Sequence, residues 1–357
     1  MASDPDTSSY NDTLGENLRE STGVVTVVYY LIGSVGIVGN LLVIVVILNF
    51  RAMRSKNVNV LVLNQSFVDM LASVLVVAET HIDTGTYLAG VWGDLVCRFW
   101  LNTVPLWSLL MASTLNILVI TLERYVAVVH PLGYRNLNEH AKRRLTAVAM
   151  ASAWVAGFAF NMATTSSTSA VRQHRCLSMV FFSSDAWKRV AGVAAFLFEF
   201  LIPLAICVVC YARIVHTLGQ KVAPQPQTGP VVAAASQQSQ GSTVSRQTKA
   251  KMIRNVHKTF GIVVVCAIVL NTGNHCLFLA FNFGYPLDFT GALYHVSVIG
   301  AFANCCVNPF IYAFKYKMFQ QGLKRLFCRY KPAAENTSVY TIHTDCRLQA
   351  RQDTPHV

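Results

Sequence analysis

Two short stretches decide the fold: E-R-Y at residues 123–125 and N-P-F-I-Y at residues 308–312. Each follows a long apolar run. An arginine beside a carboxylate is costly at a membrane edge unless it has a function. A proline and an asparagine inside an apolar helix free backbone groups that lipid cannot satisfy. Both stretches therefore predict membrane helices that carry functional residues.

The composition argues against a soluble protein. Of the 357 residues, 53% are hydrophobic and only 13% are charged, whereas a soluble domain of this size needs more charge to cover its surface. The formal net charge of +12 would suit a nucleic-acid-binding protein. However, the basic residues gather in short segments between apolar runs, which is typical of cytoplasmic loops. No nucleic-acid partner is therefore expected.

The charge distribution also predicts the orientation. The N-terminal segment, residues 1–23, is acidic, and Arg19 is its one basic residue. Because cytoplasmic segments attract the excess of Lys and Arg, the N-terminus is expected outside the cell and the C-terminus in the cytoplasm.

Seven stretches reach the length of about 20 apolar residues that a bilayer core requires. They are roughly 24–49, 58–80, 98–122, 145–166, 190–215, 259–281 and 291–314. The sequence thus predicts an all-α fold, a seven-transmembrane helix bundle over residues 24–314.

Four segments lie outside these helices or interrupt them. Residues 1–23 are predicted to form an extracellular tail, and residues 218–248, rich in Pro, Gln and Ser, a disordered third cytoplasmic loop. In residues 315–329, apolar and basic side chains alternate at helical spacing. This pattern predicts a short amphipathic helix on the inner leaflet. Residues 330–357 are predicted to be a cytoplasmic tail.

Two positions in these segments are candidates for modification. The topology places the sequon at Asn11 outside the cell, where it is available for glycosylation. Cys328 lies at the end of the amphipathic helix and is a candidate for palmitoylation, with a free cytosolic thiol as the alternative.

In this order, the motifs resemble those of a rhodopsin-like (class A) G-protein-coupled receptor. Further matches are Asn40, Asp69, Trp154, Pro203 and Tyr211. The resemblance implies a plasma-membrane receptor that binds an extracellular ligand and activates heterotrimeric G proteins, with arrestin and membrane lipid as further partners. An enzyme is not expected, since no nucleophile–base pair or metal-ligand spacing is recognisable.

The resemblance implies a conformational switch at the inner end of the bundle. Glu123 would restrain Arg124, which on activation would move toward Tyr211 and Tyr312. The full set of candidate switch residues is Glu123, Arg124, Tyr125, Tyr211, Asn308, Pro309 and Tyr312.

A polar core is predicted around Asp69. A carboxylate in mid-membrane costs about 2.5–3.5 kcal/mol on insertion scales, so it must face a polar interior. A single helix–helix hydrogen bond is the simpler alternative. By resemblance, the core comprises Asn40, Asp69, Ser113, Asn304 and Asn308. Such oxygen ligands suit a hard monovalent cation, so an allosteric sodium ion is implied, and no other cofactor.

Cys97 precedes the third span and Cys176 lies in the loop after the fourth. Both are predicted outside, where disulfides persist, and their pairing would hold the second extracellular loop over the bundle. From Cys97 to Arg124 the chain is two residues longer than in the resembled family. Because Pro105 lies between them, we expect a bulge or kink there.

Residues that are absent from the third and seventh spans exclude two classes of ligand. The third span has no acid between Asp94 and Glu123 to pair with an amine, and the seventh has no lysine for a retinal Schiff base. A mouth of mixed polar and aromatic groups suits a peptide, and Asn274-His275 resembles the neuropeptide branch. The candidate ligand-binding residues are Glu79, Leu106, Trp107, Leu110, Asn274, His275 and Tyr294. An interhelical role for His275 is the alternative.

The sixth span departs from the resembled family, because Asn271 and Gly273 stand where a tryptophan and a proline are usual. This departure leaves open a receptor that binds a ligand with weak or no G-protein signalling. A secondary transporter or channel, favoured by the buried Asp69, is the other alternative. The odd number of spans and the lack of internal repeats argue against it.

Overall fold

The computed structural model of the protein describes residues 5–81, 87–177, 184–220 and 238–327. Side chains are described from residue 23 onward, apart from residues 167 and 238–254. Cys328, the tail 330–357 and residues 221–237 of the predicted loop lie outside the described residues, as does the side chain of Asn11.

The described residues form twelve α-helices. Their bounds are α1 Pro5–Asn49, α2 Arg51–Arg54, α3 Asn57–Glu79, α4 Gly90–Leu95, α5 Val104–Val129, α6 Pro131–Asn136, α7 Glu139–Thr165, α8 Asp185–Ala195, α9 Ile202–Gln220, α10 Gln238–Asn282, α11 Ala292–Lys315 and α12 Lys317–Phe327. Two π-helices (Val96–Leu101 and Phe196–Leu201), one 3₁₀ turn (Ser166–Thr168) and two short strands complete the structure.

Seven helical stretches among the described residues are long and apolar enough to cross a membrane. In chain order these spans are Gly23–Asn49, Asn57–Glu79, Gly90–Val129, Glu139–Thr165, Asp185–Gln220, Asn255–Asn282 and Ala292–Lys315. Their outward faces carry exposed apolar side chains such as Leu31, Val155 and Val269, as a helix facing lipid requires. The predicted seven-helix bundle is confirmed. Helices α1 and α10 begin earlier than their spans, inside the segments expected to be a tail and a loop.

The third span lies at the centre of the bundle, in contact with the second, fourth, fifth and sixth spans. The first span packs against the second and seventh, and the sixth packs against the seventh. Because its neighbours surround it, the third span is the element on which residues from several helices converge.

The expected irregularity near Pro105 is confirmed. The third span begins as α4, continues as the π-helix Val96–Leu101, and restarts as α5 at Val104. Between the two parts, Thr103 adopts a left-handed conformation with φ of 53°, which is strained for a β-branched residue. Pro105 sits in the first turn of α5, where its missing N–H is tolerated. The extra residues are thus absorbed at the end of the span that carries Cys97, which is called the outer end according to the predicted orientation.

A β-hairpin lies at the outer end of the bundle, an element that the all-α prediction missed. β1 (Ala170–Arg172) pairs antiparallel with β2 (Arg175–Leu177). Cys176 of β2 forms the predicted disulfide with Cys97. The hairpin is therefore tied to the outer end of the third span.

At the opposite end, called the inner end according to the predicted orientation, α12 follows the seventh span after a break at Tyr316. Phe319 is buried against the bundle, whereas Lys324 and Arg325 are exposed. The Tyr316 hydroxyl donates to Asn59 Oδ1 at 2.5 Å, which fixes the break against the second span. The helix is amphipathic as predicted, and its place on the inner leaflet stays a prediction.

Gly157 allows the third and fourth spans to pack closely. A Cβ atom there would lie 2.6 Å from the Ser108 carbonyl oxygen and 3.1 Å from the Ala112 nitrogen. We predict that Gly157→Val destabilises the protein by about 1–3 kcal/mol, because the clash involves backbone that cannot move aside. Thermal melting of the purified protein measures this. The control Gly219→Val, with no atom within 4 Å, should melt like the wild type; equal melting of both variants would contradict the prediction.

Candidate functional site

Asp69 is fully buried, and its carboxylate accepts hydrogen bonds from three other side chains. Ser113 Oγ donates to Oδ1 at 2.7 Å, and Asn308 Nδ2 donates to Oδ2 at 2.9 Å. Gln65 Nε2 reaches both oxygens, at 3.1 and 3.0 Å. The carboxylate therefore joins the second, third and seventh spans through their side chains.

The network continues from Gln65 to the fourth span. Asn116 Nδ2 donates to Gln65 Oε1 at 2.7 Å, and Asn64 Nδ2 donates to Asn116 Oδ1 at 2.9 Å. Trp154 Nε1 completes the chain by donating to Asn64 Oδ1 at 3.2 Å. An unbroken series of hydrogen bonds thus runs from Trp154 to Asp69 through the fourth, second and third spans, and the bond from Asn308 adds the seventh.

The other predicted members of the polar core lie nearby without bonding to Asp69. Asn40 Nδ2 donates to the Gly36 and Cys305 carbonyl oxygens, at 2.9 and 2.8 Å. Three buried amide oxygens have no hydrogen-bond donor among the described residues: Oδ1 of Asn40, Asn304 and Asn308. The core therefore combines a saturated carboxylate with three unpaired amide oxygens.

At the inner end of the third span, Arg124 forms an ion pair with its neighbour Glu123. Tyr134 also donates to Glu123 Oε1, at 2.7 Å. Burial, assisted by this hydrogen bond, raises the pKa of Tyr134 to about 12, so the hydroxyl stays a donor at physiological pH. Tyr125 packs edge-on against His130, with ring centroids 5.6 Å apart.

The hydroxyls of Tyr211 and Tyr312, the tyrosines toward which Arg124 is expected to move, make no hydrogen bond to it in this arrangement. The hydroxyls of Tyr211 and Tyr312 are buried, and Tyr312 is fully enclosed. The inner end of the sixth span is instead attached to the seventh. Asn255 Nδ2 and Thr259 Oγ1 donate to the Lys315 carbonyl oxygen, at 2.8 and 3.1 Å.

A cavity of about 470 Å³ lies at the opposite, disulfide-bonded end of the bundle. The break in the third span forms part of its wall, since Asn102 and Thr103 line it. Asn102 Nδ2 donates to the Cys97 carbonyl oxygen at 2.5 Å, which holds the break beside the disulfide. The bundle thus has a cavity at one end and a paired arginine at the other.

Comparison with known proteins identifies this arrangement. The sequence model of the family described as "7 transmembrane receptor (rhodopsin family)" matches residues 39–312. The chain belongs to this receptor family.

Several curated receptors are similar along most of their length. Galanin receptor 2a of Danio rerio is 27% identical over 330 residues, which covers 90% of this chain and 82% of the relative. Somatostatin receptor type 4 of Rattus norvegicus is 28% identical and covers 86% and 74%. Neuropeptide Y receptor type 1 of Xenopus laevis is 24% identical and covers 87% and 83%.

Within the receptor, four of the seven candidate ligand residues line the cavity: Trp107, Asn274, His275 and Tyr294. Glu79, Leu106 and Leu110 do not. Leu106 is fully buried in helix packing and Leu110 nearly so, because the break at Thr103 sets which face of α5 turns toward the cavity.

Among the polar residues of these sites that were not predicted, Gln65, Asn116 and Glu199 had a signal in the sequence. Gln65 lies four residues before Asp69 and Asn116 three after Ser113, spacings that place side chains on one helix face. Glu199, which lines the cavity, carries the same signal as Asp69, an acid inside an apolar run. The rule used for Asp69 is that a polar side chain inside an apolar run must face a polar interior. Applied to the helix faces around Asp69 and Ser113, it would have found Gln65 and Asn116. Applied to the fifth span, it would have found Glu199.

We predict that Asn116→Ala lowers the free energy of unfolding by about 1–3 kcal/mol, because Gln65 and Asn64 each lose a buried partner. Thermal melting of the purified receptor checks this. The control Asn49→Ala removes an exposed amide that donates to the Val45 carbonyl of its own helix, and its melting should match the wild type. An unchanged melting temperature for Asn116→Ala would mean that the network does not stabilise the bundle.

Proposed function

We propose that this receptor binds an extracellular peptide and activates heterotrimeric G proteins at the plasma membrane. The observation that carries the proposal is the position of the cavity. It opens beside the Cys97–Cys176 disulfide, and polar and aromatic side chains from several helices line it. A site with many separate hydrogen-bonding and aromatic groups suits the dispersed contacts of a peptide.

The relatives support the same ligand class. They are named as receptors for galanin, somatostatin and neuropeptide Y, which are peptides, and they align with 86–90% of this chain. At this level of identity they support a peptide as the class of ligand, without pointing to one of the three.

The switch geometry supports a resting state that is held by Glu123. Arg124 is paired with this carboxylate, and Tyr134 keeps the carboxylate in place. Burial, and to a smaller extent the nearby charge of Arg124, lowers the pKa of Lys56 at the same end of the bundle. Activation would release Arg124 from Glu123 toward Tyr211 and Tyr312 and open the inner end to a G protein.

The second candidate, a receptor with weak or no G-protein signalling, depends on the sixth span. α10 is an uninterrupted helix through Asn271 and Gly273. Asn271 Nδ2 donates to the Ala267 carbonyl of its own helix at 2.8 Å, so the amide is satisfied locally. The attachment of Asn255 and Thr259 to the seventh span would have to break for this helix to move. Family membership argues against the transporter or channel alternative.

Further features belong to the same proposal. The N-terminus would face outward and the C-terminus the cytoplasm, with arrestin as a second intracellular partner. Glycosylation at Asn11 and palmitoylation at Cys328 would then fall on the correct sides of the membrane, and α12, with its basic exposed face, would lie against anionic lipid.

We predict that Arg124→Ala abolishes G-protein dissociation in cells stimulated with pooled neuropeptides, because the switch loses the group that rearranges. Surface expression, measured by antibody labelling of intact cells, should stay within about twofold, since the helix packing of the bundle does not involve the Arg124–Glu123 pair, which joins neighbours on one helix. The matched control is Arg135→Ala on the short helix α6. Normal signalling by Arg124→Ala would refute the switch, and binding of a pool without dissociation in the wild type would favour the second candidate.

We also propose that the polar core takes up a sodium ion in competition with Gln65. The unpaired Oδ1 atoms of Asn40, Asn304 and Asn308 fit a hard cation, as does the Asp69 carboxylate. The Gln65 amide, however, directs a donor at both carboxylate oxygens and at Ser113 Oγ, 2.5 Å away. A sodium ion would neutralise the Asp69 carboxylate and would have to displace the Gln65 amide, which now donates to both of its oxygens.

We predict that Gln65→Leu increases the stabilisation of the receptor by sodium. Removing the competing amide should raise the affinity for sodium about tenfold, which corresponds to about 1.4 kcal/mol. The measurement is the melting temperature of purified receptor titrated with sodium chloride, with choline chloride as the control salt. Equal sodium dependence of the wild type and Gln65→Leu would contradict the competition, and no dependence in either would exclude the ion.

A further inference from the structure

Glu199 is an acid inside the bundle that no motif of the family match accounts for. It lies on the π-helix Phe196–Leu201 of the fifth span and lines the cavity. Its carboxylate is beside the amide of Asn161 on the fourth span. Among the described residues that line this cavity, Glu199 is the one carboxylate, and none is a lysine or arginine.

The basic residues nearest to it in sequence are directed elsewhere. Lys188 and Arg189 lie about three helical turns earlier, roughly 15 Å along the axis. Lys188 Nζ sits over the Phe281 ring, 4.1 Å from its centroid, and the Arg189 guanidinium over Phe283 at 6.0 Å. The ion pairs in the described part of the chain do not include Glu199, so its charge has no cationic partner there.

An uncompensated carboxylate inside a membrane bundle is costly, and such groups mark sites where a partner arrives. The simpler explanation is a structural hydrogen bond between Glu199 and Asn161. A glutamine would make that bond equally well, so the two explanations predict different behaviour of Glu199→Gln.

The rest of the cavity suits a cation on a long apolar stem. Phe289 and Tyr294 form an aromatic wall, with ring centroids 5.2 Å apart, and Phe281, whose ring already carries the Lys188 ammonium, packs against Phe289 at 5.3 Å. Aromatic faces attract ammonium and guanidinium groups, and they pack against the methylene stem of a basic side chain. One carboxylate and such a wall are complementary to arginine or lysine.

We propose that Glu199 forms the anionic subsite of the ligand cavity and pairs with a cationic group of the peptide. This inference extends the proposed function and rests on it, because the peptide nature of the ligand is taken from there. The cation belongs either to a basic side chain or to the free amino terminus, which have the same chemistry. Glu199 would thus select peptides with a positive charge at the part that enters the bundle.

The test uses small probes, so that the peptide need not be known. The purified full-length receptor in detergent is titrated with Nα-acetyl-argininamide, whose one charge is the guanidinium, and the rise in melting temperature gives an apparent Kd. Nα-acetyl-citrullinamide, of nearly the same shape but neutral, is the matched control. Glycinamide carries a free amino group without a basic side chain. It tests whether the cation is the amino terminus of the peptide.

The wild type should bind the arginine probe roughly 10- to 100-fold more tightly than the citrulline probe, as expected for charge-assisted hydrogen bonds. Glu199→Gln should abolish this preference and Glu199→Asp should retain part of it. Asp185→Asn, which removes an acid from the outer end of the same span, should leave it unchanged. Tighter binding of glycinamide than of the arginine probe would support the subsite and assign it to an amino terminus.

Equal affinity for the arginine and citrulline probes in the wild type, without tighter binding of glycinamide, would overturn the proposal even if Glu199→Gln cannot be purified. A preference that survives in Glu199→Gln would overturn it as well. Failure of the proposed function is a separate result, in which the probes bind as expected but no neuropeptide pool causes G-protein dissociation.

Discussion

The structure depends on the burial of one carboxylate, Asp69, between membrane helices. Lipid offers no hydrogen bonds, so every donor that the carboxylate needs must come from another side chain of the bundle. Ser113, Asn308 and Gln65 supply these donors, and their positions fix the second, third and seventh spans relative to one another. The extension to Trp154 attaches the fourth span to the same centre.

This polar centre lies between the two functional ends of the receptor. Asn308 donates to Asp69 and is also the first residue of the N-P-F-I-Y stretch, whose last residue, Tyr312, is a candidate acceptor of Arg124. At the other end, the restarted third span contributes Trp107 to the cavity and Ser113 to the polar centre. A change at the cavity that turns or shifts the third span would therefore alter hydrogen bonds that also hold the seventh.

The parts that could be predicted from sequence are those with a strong local signal. The bilayer demands length and hydrophobicity in every span, Pro105 and the extra residues indicated the break in the third span, and the amphipathic spacing over residues 315–329 indicated α12. The remaining parts depend on contacts between distant segments. The β-hairpin is held where the Leu88 N–H donates to the His174 carbonyl at 3.0 Å, a contact with no local signal. The role of Gln65 becomes visible only when its amide is seen to reach both oxygens of the buried carboxylate.

The most direct test of the central role of Asp69 is a double-mutant cycle with Gln65. The melting of purified wild type, Gln65→Leu, Asp69→Leu and the double variant would be compared in sodium-free buffer. If the amide solvates the buried carboxylate, the two substitutions should be coupled by about 0.5–3 kcal/mol. Effects that add within about 0.3–0.5 kcal/mol would contradict the claim that this interaction organises the bundle.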